Sequence, residues 1–453
     1  AAGATSYAYD AIGRLSTATH PSGASETRTY DATTGDLDEV WHKANGGGTL
    51  SKHTYSHDSL GRRTGEQLAS GDLVAYGYDA AGQLTSEVRV GGVAYNHAYT
   101  YDNAGNRLTK TIGGVTTTDY HYDDANKLVN FGVGASPGVS GTDLYYDAAG
   151  NVEYAVDLST WDTTTLSWDA ESRLTGVQFP SSATNSYVYN GIGQRVGIGD
   201  SLGNRAMVLA DDAIDSAVLA DGTATYQHGL GLLSEVRSGG TRFYHADALG
   251  TTRDLSDASG AASAALETDA FGNVVNSSGT GTPFGFAGAH GYQTDPDTGW
   301  QRLGHRFYLP ALGRFLSRDP IRDGYNWYAY CENDPVNAVD PSGLHGLWQP
   351  GDWERLVRVG KAIMDWISTA ATGPSPEPPP VRPAVPFPQP PPGHVSPPPP
   401  GWVPPGERPL VPPSVGGGGG GAGGGAGGGG GGGGTGGGGG GGIGRPGGGF
   451  GRP

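Results

Sequence analysis

Tyr99-Thr100-Tyr101-Asp102-Asn103-Ala104-Gly105-Asn106-Arg107-Leu108 is one copy of a pattern that recurs along the first 195 residues. The acid or amide after the second aromatic position occurs nine times, in successive steps of 21, 27, 21, 23, 21, 24, 22 and 21 residues. These positions are Asp10, Asp31, Asp58, Asp79, Asp102, Asp123, Asp147, Asp169 and Asn190. A period in the twenties is typical of stacked supersecondary units.

Each copy predicts a β-hairpin. Two aromatic residues two positions apart lie on one face of a strand, because strand side chains alternate. The Asp-x-x-Gly that follows predicts a tight turn, in which the carboxylate binds nearby backbone and the glycine accepts a positive φ. A single hairpin cannot bury its own apolar face, so the copies must stack. We therefore predict an all-β fold, an array of stacked β-hairpins with ladders of Tyr and Leu in its interior.

Composition limits the function of the 453-residue chain, which has a formal net charge of −17. Residues 1–344 hold 21 basic and 40 acidic side chains, and such an acidic body argues against nucleic-acid binding. The single cysteine, Cys331, excludes an intrachain disulfide framework. No run of 18 apolar residues and no signal-peptide pattern occurs, so we predict no transmembrane segment. Because the chain starts directly in a repeat, we expect the array to extend upstream.

The texture of the sequence predicts six regions. Twenty prolines between residues 374 and 413 favour polyproline II, and 29 glycines between 416 and 451 favour flexible coil. An apolar stripe over 352–371 predicts an amphipathic helix. The expected regions are 1–196, the Tyr-Asp repeats; 197–243, an irregular β continuation; 244–344, a less repetitive core; 345–373, the helix region; 374–415, a Pro-rich spacer; and 416–453, a Gly-rich disordered tail.

Two further motifs follow the repeats. One is Tyr-His-x-Asp-x-Leu-Gly-x-Thr-Arg at 244–253, and the other runs from Gly-Arg-Phe-Leu-Ser-Arg-Asp-Pro at 313–320 to Asp-Pro-Ser-Gly-Leu at 340–344. Together with the nine repeats they resemble the RHS/YD-repeat family and its RHS repeat-associated core, over residues 1–344. The resemblance implies a β-strip that spirals into a hollow shell, as in bacterial polymorphic toxins, toxin-complex subunits and teneurins.

In many bacterial members the core also cuts the chain after the Leu of Asp-Pro-x-Gly-Leu and encloses the downstream piece. Carried onto this sequence, the resemblance places the cut between Leu344 and His345. The partner of the shell would then be its own C-terminal segment. Residues 345–453 depart from the toxin-bearing members, because they offer one helix, a proline spacer and a glycine coil instead of a compact catalytic domain.

Two carboxylates that share one proton can cut a peptide bond without a nucleophilic side chain, a metal or a cofactor, and we predict neither metal nor cofactor here. Asp319 and Asp340 are the candidate catalytic pair, since the resemblance marks these two Asp-Pro positions. Asp323 is the substitute candidate. Arg314 and Arg318 could hold one carboxylate ionised or orient the Leu344 carbonyl. The alternative is that the acids only form Asp-Pro and Asp-Gly turns and that the arginines only pair with the acidic body.

Two functions compete at this stage. The first is a secreted or cell-surface shell that cuts itself once, with no multiple-turnover activity expected from residues 1–344. The second is a non-cleaving structural or adhesive surface protein that binds glycans or proteins through its strand faces.

Overall fold

The computed structural model describes residues 3–213 and 215–348, and this part of the chain folds into antiparallel β-sheets with two short 3₁₀ turns and no α-helix. The predicted helix over 352–371, the proline spacer and the glycine tail lie outside the described residues. The first sheet has 19 strands. They are β1 Ser6–Tyr9, β2 Leu15–Thr19, β3 Ser25–Tyr30, β4 Leu37–Lys43, β5 Thr49–His57, β6 Arg63–Leu68, β7 Leu73–Tyr78, β8 Leu84–Val90, β9 Tyr95–Tyr101, β10 Arg107–Ile112, β11 Thr116–Tyr122, β12 Leu128–Ser136, β13 Ser140–Tyr146, β14 Val152–Asp157, β15 Thr163–Trp168, β16 Leu174–Gln178, β17 Thr184–Tyr189, β18 Arg195–Asp200 and β19 Gly203–Ala206.

Three smaller sheets follow the first one. Eight strands form the second sheet: β20 Val208–Leu209, β21 Val218–Ala220, β22 Thr225–His228, β23 Leu232–Arg237, β24 Gly240–Ala246, β25 Thr252–Asp257, β26 Ala262–Thr268 and β27 Val274–Gly279. The third holds β28 Gln293–Thr294, β29 Gln301–Leu303, β30 Arg306–Leu309 and β31 Arg314–Phe315, and the fourth holds β32 Ala338–Val339 and β33 Leu347–Trp348. The 3₁₀ turns span Gly288–His290 and Cys331–Asn333.

The repeats form hairpins of the predicted kind, and each strand of the first sheet pairs with the next in sequence, as β7, β8, β9 and β10 do. Asp102 shows the turn. Its Oδ1 accepts hydrogen bonds from the N–H groups of Ala104 and Asn106 at 2.9 and 2.8 Å. Gly105, with a φ of 76°, donates its N–H to the Asp102 carbonyl at 3.0 Å. The prediction of an Asp-x-x-Gly turn is confirmed.

The second aromatic ring of a repeat connects its hairpin to the preceding one through a hydrogen bond. The Tyr101 hydroxyl donates to the Leu84 carbonyl at 2.8 Å, and the Tyr122 hydroxyl donates to the Arg107 carbonyl at 2.9 Å. Trp168 keeps the same bond with its indole N–H, 2.7 Å from the Val152 carbonyl. In these repeats the position carries a flat ring with a donor at its far edge, so Trp can replace Tyr there.

The same turn continues into the second sheet. Oδ1 of Asp247 accepts the N–H groups of Leu249 and Thr251 at 2.9 and 3.0 Å. The region boundaries predicted at 196/197 and 243/244 fall inside β18 and β24. The sequence becomes less regular at these points, but the hairpin stacking continues through them.

Residues 281–346 pack against the hairpins and also form an apolar cluster of their own. Tyr308 lies at its centre, with ring centroids 4.3 Å from Tyr330 and 6.0 Å from Phe315. The cluster consists of Leu249, Phe286, Ala287, Tyr292, Leu303, Tyr308, Phe315, Tyr330, Cys331, Ala338 and Val339. The segments that carry the two predicted catalytic acids, one after β31 and one directly after β32, therefore lie beside a buried aromatic core.

Candidate functional site

The structure brings Asp319 and Asp340 together around one buried arginine, Arg306. Nη2 of Arg306 lies 3.7 Å from Oδ2 of Asp319 and 3.5 Å from Oδ2 of Asp340. Asp319 is 3% exposed, Asp340 is 1% exposed and Arg306 is 4% exposed. Ion pairs this deep are desolvated, so they persist only if further hydrogen bonds satisfy the remaining polar atoms.

Those hydrogen bonds come from the backbone of the core. Arg306, the first residue of β30, donates from Nη1 to the Trp327 carbonyl at 3.0 Å and from Nε to the Gly343 carbonyl. Its guanidinium carbon lies 3.6 Å from the Phe315 ring centroid. Asp319 donates its own N–H to the same Trp327 carbonyl at 2.9 Å. Arg306 thus links β30, the segment before β32 and the Asp-Pro-Ser-Gly-Leu turn.

Asp340 contacts the predicted cleavage point directly. Its Oδ1 accepts the N–H groups of Leu344 at 3.0 Å and of His345 at 3.2 Å, the second being the nitrogen of the predicted scissile bond. Leu344 is half-buried and His345 is exposed. Burial raises the pKa of the Asp340 carboxyl, against the lowering effect of the Arg306 charge. A carboxyl whose pKa is raised by burial therefore lies next to a peptide nitrogen.

A tyrosine pair and the cysteine close the site from the interior. The Tyr292 hydroxyl accepts the N–H of Asp340 and lies 3.0 Å from the Tyr330 hydroxyl. Burial, together with the Asp340 charge, raises the pKa of the Cys331 thiol well above its usual value. The thiolate is the nucleophilic form of cysteine, so this environment makes Cys331 an inert packing residue.

The other predicted residues lie away from the two carboxylates. Asp323 is exposed, and its Oδ1 accepts the N–H of Gly324 at 3.0 Å. Arg314 donates to the Asn126 carbonyl at 2.6 Å, and Arg318 lies over the Trp327 ring, 5.7 Å from its centroid. The arginine between the carboxylates is Arg306, which the sequence analysis missed. An arginine inside the apolar run at 304–309 was the available signal, since such a position needs a buried partner.

Asp334 is a second buried acid near the site. It is 4% exposed, and burial raises its pKa to about 6, opposed by a hydrogen bond from Asn337 and by the charge of Arg63. The Asn337 amide donates to Oδ1 at 2.8 Å, whereas Oδ2 has no hydrogen-bond partner within the described part of the chain. This carboxyl therefore folds most favourably in its protonated form.

We expect Asp334 to make folding pH-dependent. Its pKa is raised on folding, so its contribution to stability is complete below the unfolded pKa of 3.8 and is lost as the pH rises to about 6. The loss amounts to about 3 kcal/mol at most, at roughly 1.4 kcal/mol per pKa unit. Urea unfolding at pH 4 and pH 7 should show that Asp334→Asn gains stability over the native chain at the higher pH. Asp323→Asn, in the exposed loop, is the control. An equal change in the free energy of unfolding between pH 4 and pH 7 in the native chain, Asp334→Asn and Asp323→Asn would contradict the prediction.

The comparisons agree with this architecture. The RHS Repeat family model matches residues 57–94. Over 210 residues the chain is 35% identical to the tRNA3(Ser)-specific nuclease WapA of Bacillus spizizenii, covering 41% of this chain and 8% of that protein. Over 105 residues it is 37% identical to toxin protein Tse5 of Pseudomonas aeruginosa, covering 22% of this chain and 8% of the toxin. The chain thus spans less than a tenth of the length of these relatives.

A solved structure shares the fold. The crystal structure of TcdB2-TccC3-Cdc42 superposes with a TM-score of 0.54 at 17% identity, covering 75% of this chain and 19% of that one. Stacked Asp-turn hairpins that pack against an aromatic core define a β-shell repeat protein. The chain is therefore of the RHS type: residues 57–94 match the RHS Repeat family model, and parts of the chain are similar to bacterial toxins. Among residues 3–213 and 215–348, no helix is long and apolar enough to cross a membrane.

Proposed function

We propose that this chain is the closing end of a secreted or cell-surface RHS shell, whose core cuts itself once between Leu344 and His345. The observation that carries the proposal is the position of Asp340, whose Oδ1 lies 3.2 Å from the His345 nitrogen. The carboxyl accepts this N–H in the uncut chain, and once water has added to the carbonyl and the nitrogen has regained its lone pair, a protonated Asp340 can donate its proton to the leaving amine. The released piece is the C-terminal segment 345–453.

Each acid has a distinct role in this proposal. Asp319 is the base that takes a proton from water, and the water oxygen then bonds to the carbonyl carbon of Leu344. Asp340 gives its proton to the nitrogen of His345 as the C–N bond breaks, which leaves a carboxylate on Leu344 and an amine on His345. Arg306 stabilises the negative charge that moves between the two carboxylates. The raised pKa of Asp340 favours the proton-donor role.

One turnover does not require a strong catalyst. The two acids and the target bond belong to one chain, and the turn at 340–344 holds the target in place through the Gly343 N–H, which donates to the Asp340 carbonyl at 3.2 Å. Ideal intramolecular reactions gain ~7–11 kcal/mol from such proximity. After the cut, His345 is no longer covalently held beside Asp340, so the hydrogen bond between its nitrogen and Asp340 can break and the segment can leave.

The composition of the released segment favours a role as a tether or spacer and argues against a role as an enzyme. The relatives are named as nucleases or toxins, but residues 374–453 of this chain are dominated by Pro and Gly and cannot build a packed catalytic core. We therefore propose that the shell separates this segment from itself without giving it a nuclease activity.

Intact-mass analysis of the folded chain tests the cut. The native protein should give two masses, for residues 1–344 and 345–453, whereas Asp340→Asn and Asp319→Asn should each stay whole. Asp323→Asn is the matched control, an acid of the same segment in an exposed loop, and it should cleave like the native chain. A native chain that stays whole from Ala1 to Pro453 would favour the non-cleaving adhesive protein. A cut elsewhere would reject the assignment of Leu344-His345 alone.

A further inference from the structure

A buried cluster that shares no residue with the candidate cleavage site has the composition of a cation site. Glu87 on β8 and His97 on β9 are direct partners in the ladder between these strands. Asp269, in the turn after β26, approaches from the second sheet, and its Oδ2 lies 3.6 Å from Nδ1 of His97. Nδ1 of His97 is 3.9 Å from Oε2 of Glu87. We propose that Glu87, His97 and Asp269 bind one divalent first-row transition metal ion, of which Zn²⁺ is the best fit, and thereby fasten the repeat array to the second sheet.

The imidazole of His97 supplies the independent observation. The residue is 6% exposed, and its Nδ1 is buried with no hydrogen-bond partner in the described part of the chain. The separations from the two carboxylates are too long for hydrogen bonds. The ring cannot easily turn away, because it stacks on Tyr95 with centroids 4.8 Å apart. Nδ1 of His97 and the two carboxylates thus face one common position, as the ligand atoms of a metal ion do.

The distances suit a small cation. One ligand atom from each of the three residues lies within 4.8 Å of the others. Zn–N and Zn–O bonds of about 2.0–2.2 Å in tetrahedral geometry place ligand atoms about 3.4 Å apart, close to the observed separations. One imidazole with two carboxylates suits Zn²⁺ or Mn²⁺ better than Ca²⁺, which takes six to eight oxygen ligands.

The carboxylates are already oriented by outer partners, as metal ligands are in proteins. Glu87 accepts the N–H of Ala270 at 3.0 and 2.9 Å, one bond to each oxygen, and the Tyr95 hydroxyl at 2.6 Å. Asp269 accepts the side-chain amide of Asn273 at 2.9 Å.

The ammonium of Lys110 would compete with the metal ion for the carboxylate of Asp269. This ammonium lies 3.4 Å from Oδ2 of Asp269, so one positive charge already faces this carboxylate. The ammonium sits on a flexible stem and can withdraw when a dication enters. A cavity of about 270 Å³, lined in part by Tyr95, Asp269 and Ala270, lies beside the cluster. The sequence analysis predicted no metal, and ligands at 87, 97 and 269 indeed form no short spacing motif.

The test uses the full chain after removal of metal with a chelator. Isothermal titration with Zn²⁺ should show one strong site per chain, and the melting temperature should rise by several degrees at saturating Zn²⁺. His97→Gln should weaken this site about tenfold or more, in line with the loss of one ligand. His228→Gln is the control, a histidine on β22 that contacts the Val218 carbonyl at 2.9 Å, and it should bind like the native chain.

Cobalt substitution keeps the proposal testable if His97→Gln fails to fold. Co²⁺ added to the metal-free native chain should give visible absorption bands of a four- or five-coordinate ion, and Zn²⁺ should displace it. A native chain that binds no Zn²⁺, or that binds Co²⁺ with only the spectrum of the hydrated ion, would overturn the proposal. The outcome is independent of cleavage at Leu344-His345, which involves none of these residues.

Discussion

Replacing Arg306 with methionine should lower the free energy of unfolding by about 3–5 kcal/mol and stop cleavage at Leu344-His345. The guanidinium is the shared partner of Asp319 and Asp340, and both carboxylates would stay buried without a counter-charge. The Gly343 carbonyl would lose its side-chain donor as well, and the Trp327 carbonyl would keep only the N–H of Asp319. Methionine fills much of the same volume beside Phe315, so the loss would reflect charge and hydrogen bonds more than a cavity.

Two matched variants separate the causes. Arg318→Met removes an arginine from the same segment, but this side chain is half-buried over Trp327, and the change should cost less than about 1 kcal/mol and leave cleavage intact. Arg306→Lys keeps the charge and loses the planar fork, so it should fall between the native chain and Arg306→Met. Urea unfolding followed by tryptophan fluorescence measures stability, and intact mass measures cleavage. Cleavage at the native rate in Arg306→Met would show that the guanidinium serves packing alone.

The repeats could be predicted from sequence because their determinants are local. In the turn at Asp102, the carboxylate meets the N–H groups two and four residues ahead, and the glycine three residues ahead takes the positive φ. Each copy of the motif therefore contains all the partners of its own turn. The pairing within a repeat follows, since β7 continues into β8 and β9 into β10 through such turns.

The supporting groups of the site could not be found in this way, because they depend on how distant segments stack. Arg306 meets acids 13 and 34 residues further along the chain, and nothing local marks it as their partner. The 3₁₀ turn Cys331–Asn333 is equally hidden, since all three residues adopt positive φ without a glycine. The side chain of Asn333 compensates by donating to the Gly105 carbonyl at 2.7 Å, a contact 228 residues away. Strain of this kind is stored only where tertiary contacts hold it.

Gly343→Ala should lower the free energy of unfolding by about 2–5 kcal/mol, since left-handed backbone costs alanine about 1–2 kcal/mol and a backbone collision adds a similar amount or more. Gly343 has a φ of 66°, and a Cβ there would collide with the Leu303 carbonyl and lie 3.1 Å from the Arg306 nitrogen. Both obstacles are backbone atoms, so neither can rotate away. The turn would have to shift, and Asp340 would lose its position beside the Leu344 and His345 nitrogens.

Gly82→Ala is the control that isolates the collision. Gly82 has a φ of 89° in a repeat turn, but nothing lies within 4 Å of the site of its Cβ, so only the conformational cost of about 1–2 kcal/mol applies. Chemical denaturation should rank Gly343→Ala well below Gly82→Ala in stability, and only Gly343→Ala should slow the appearance of the 345–453 fragment. Equal losses in the two variants would mean that the glycine of Asp-Pro-Ser-Gly-Leu serves the turn alone. A larger loss at Gly343 together with slower cleavage would show that the close approach of Leu303 and Arg306 places the bond against Asp340.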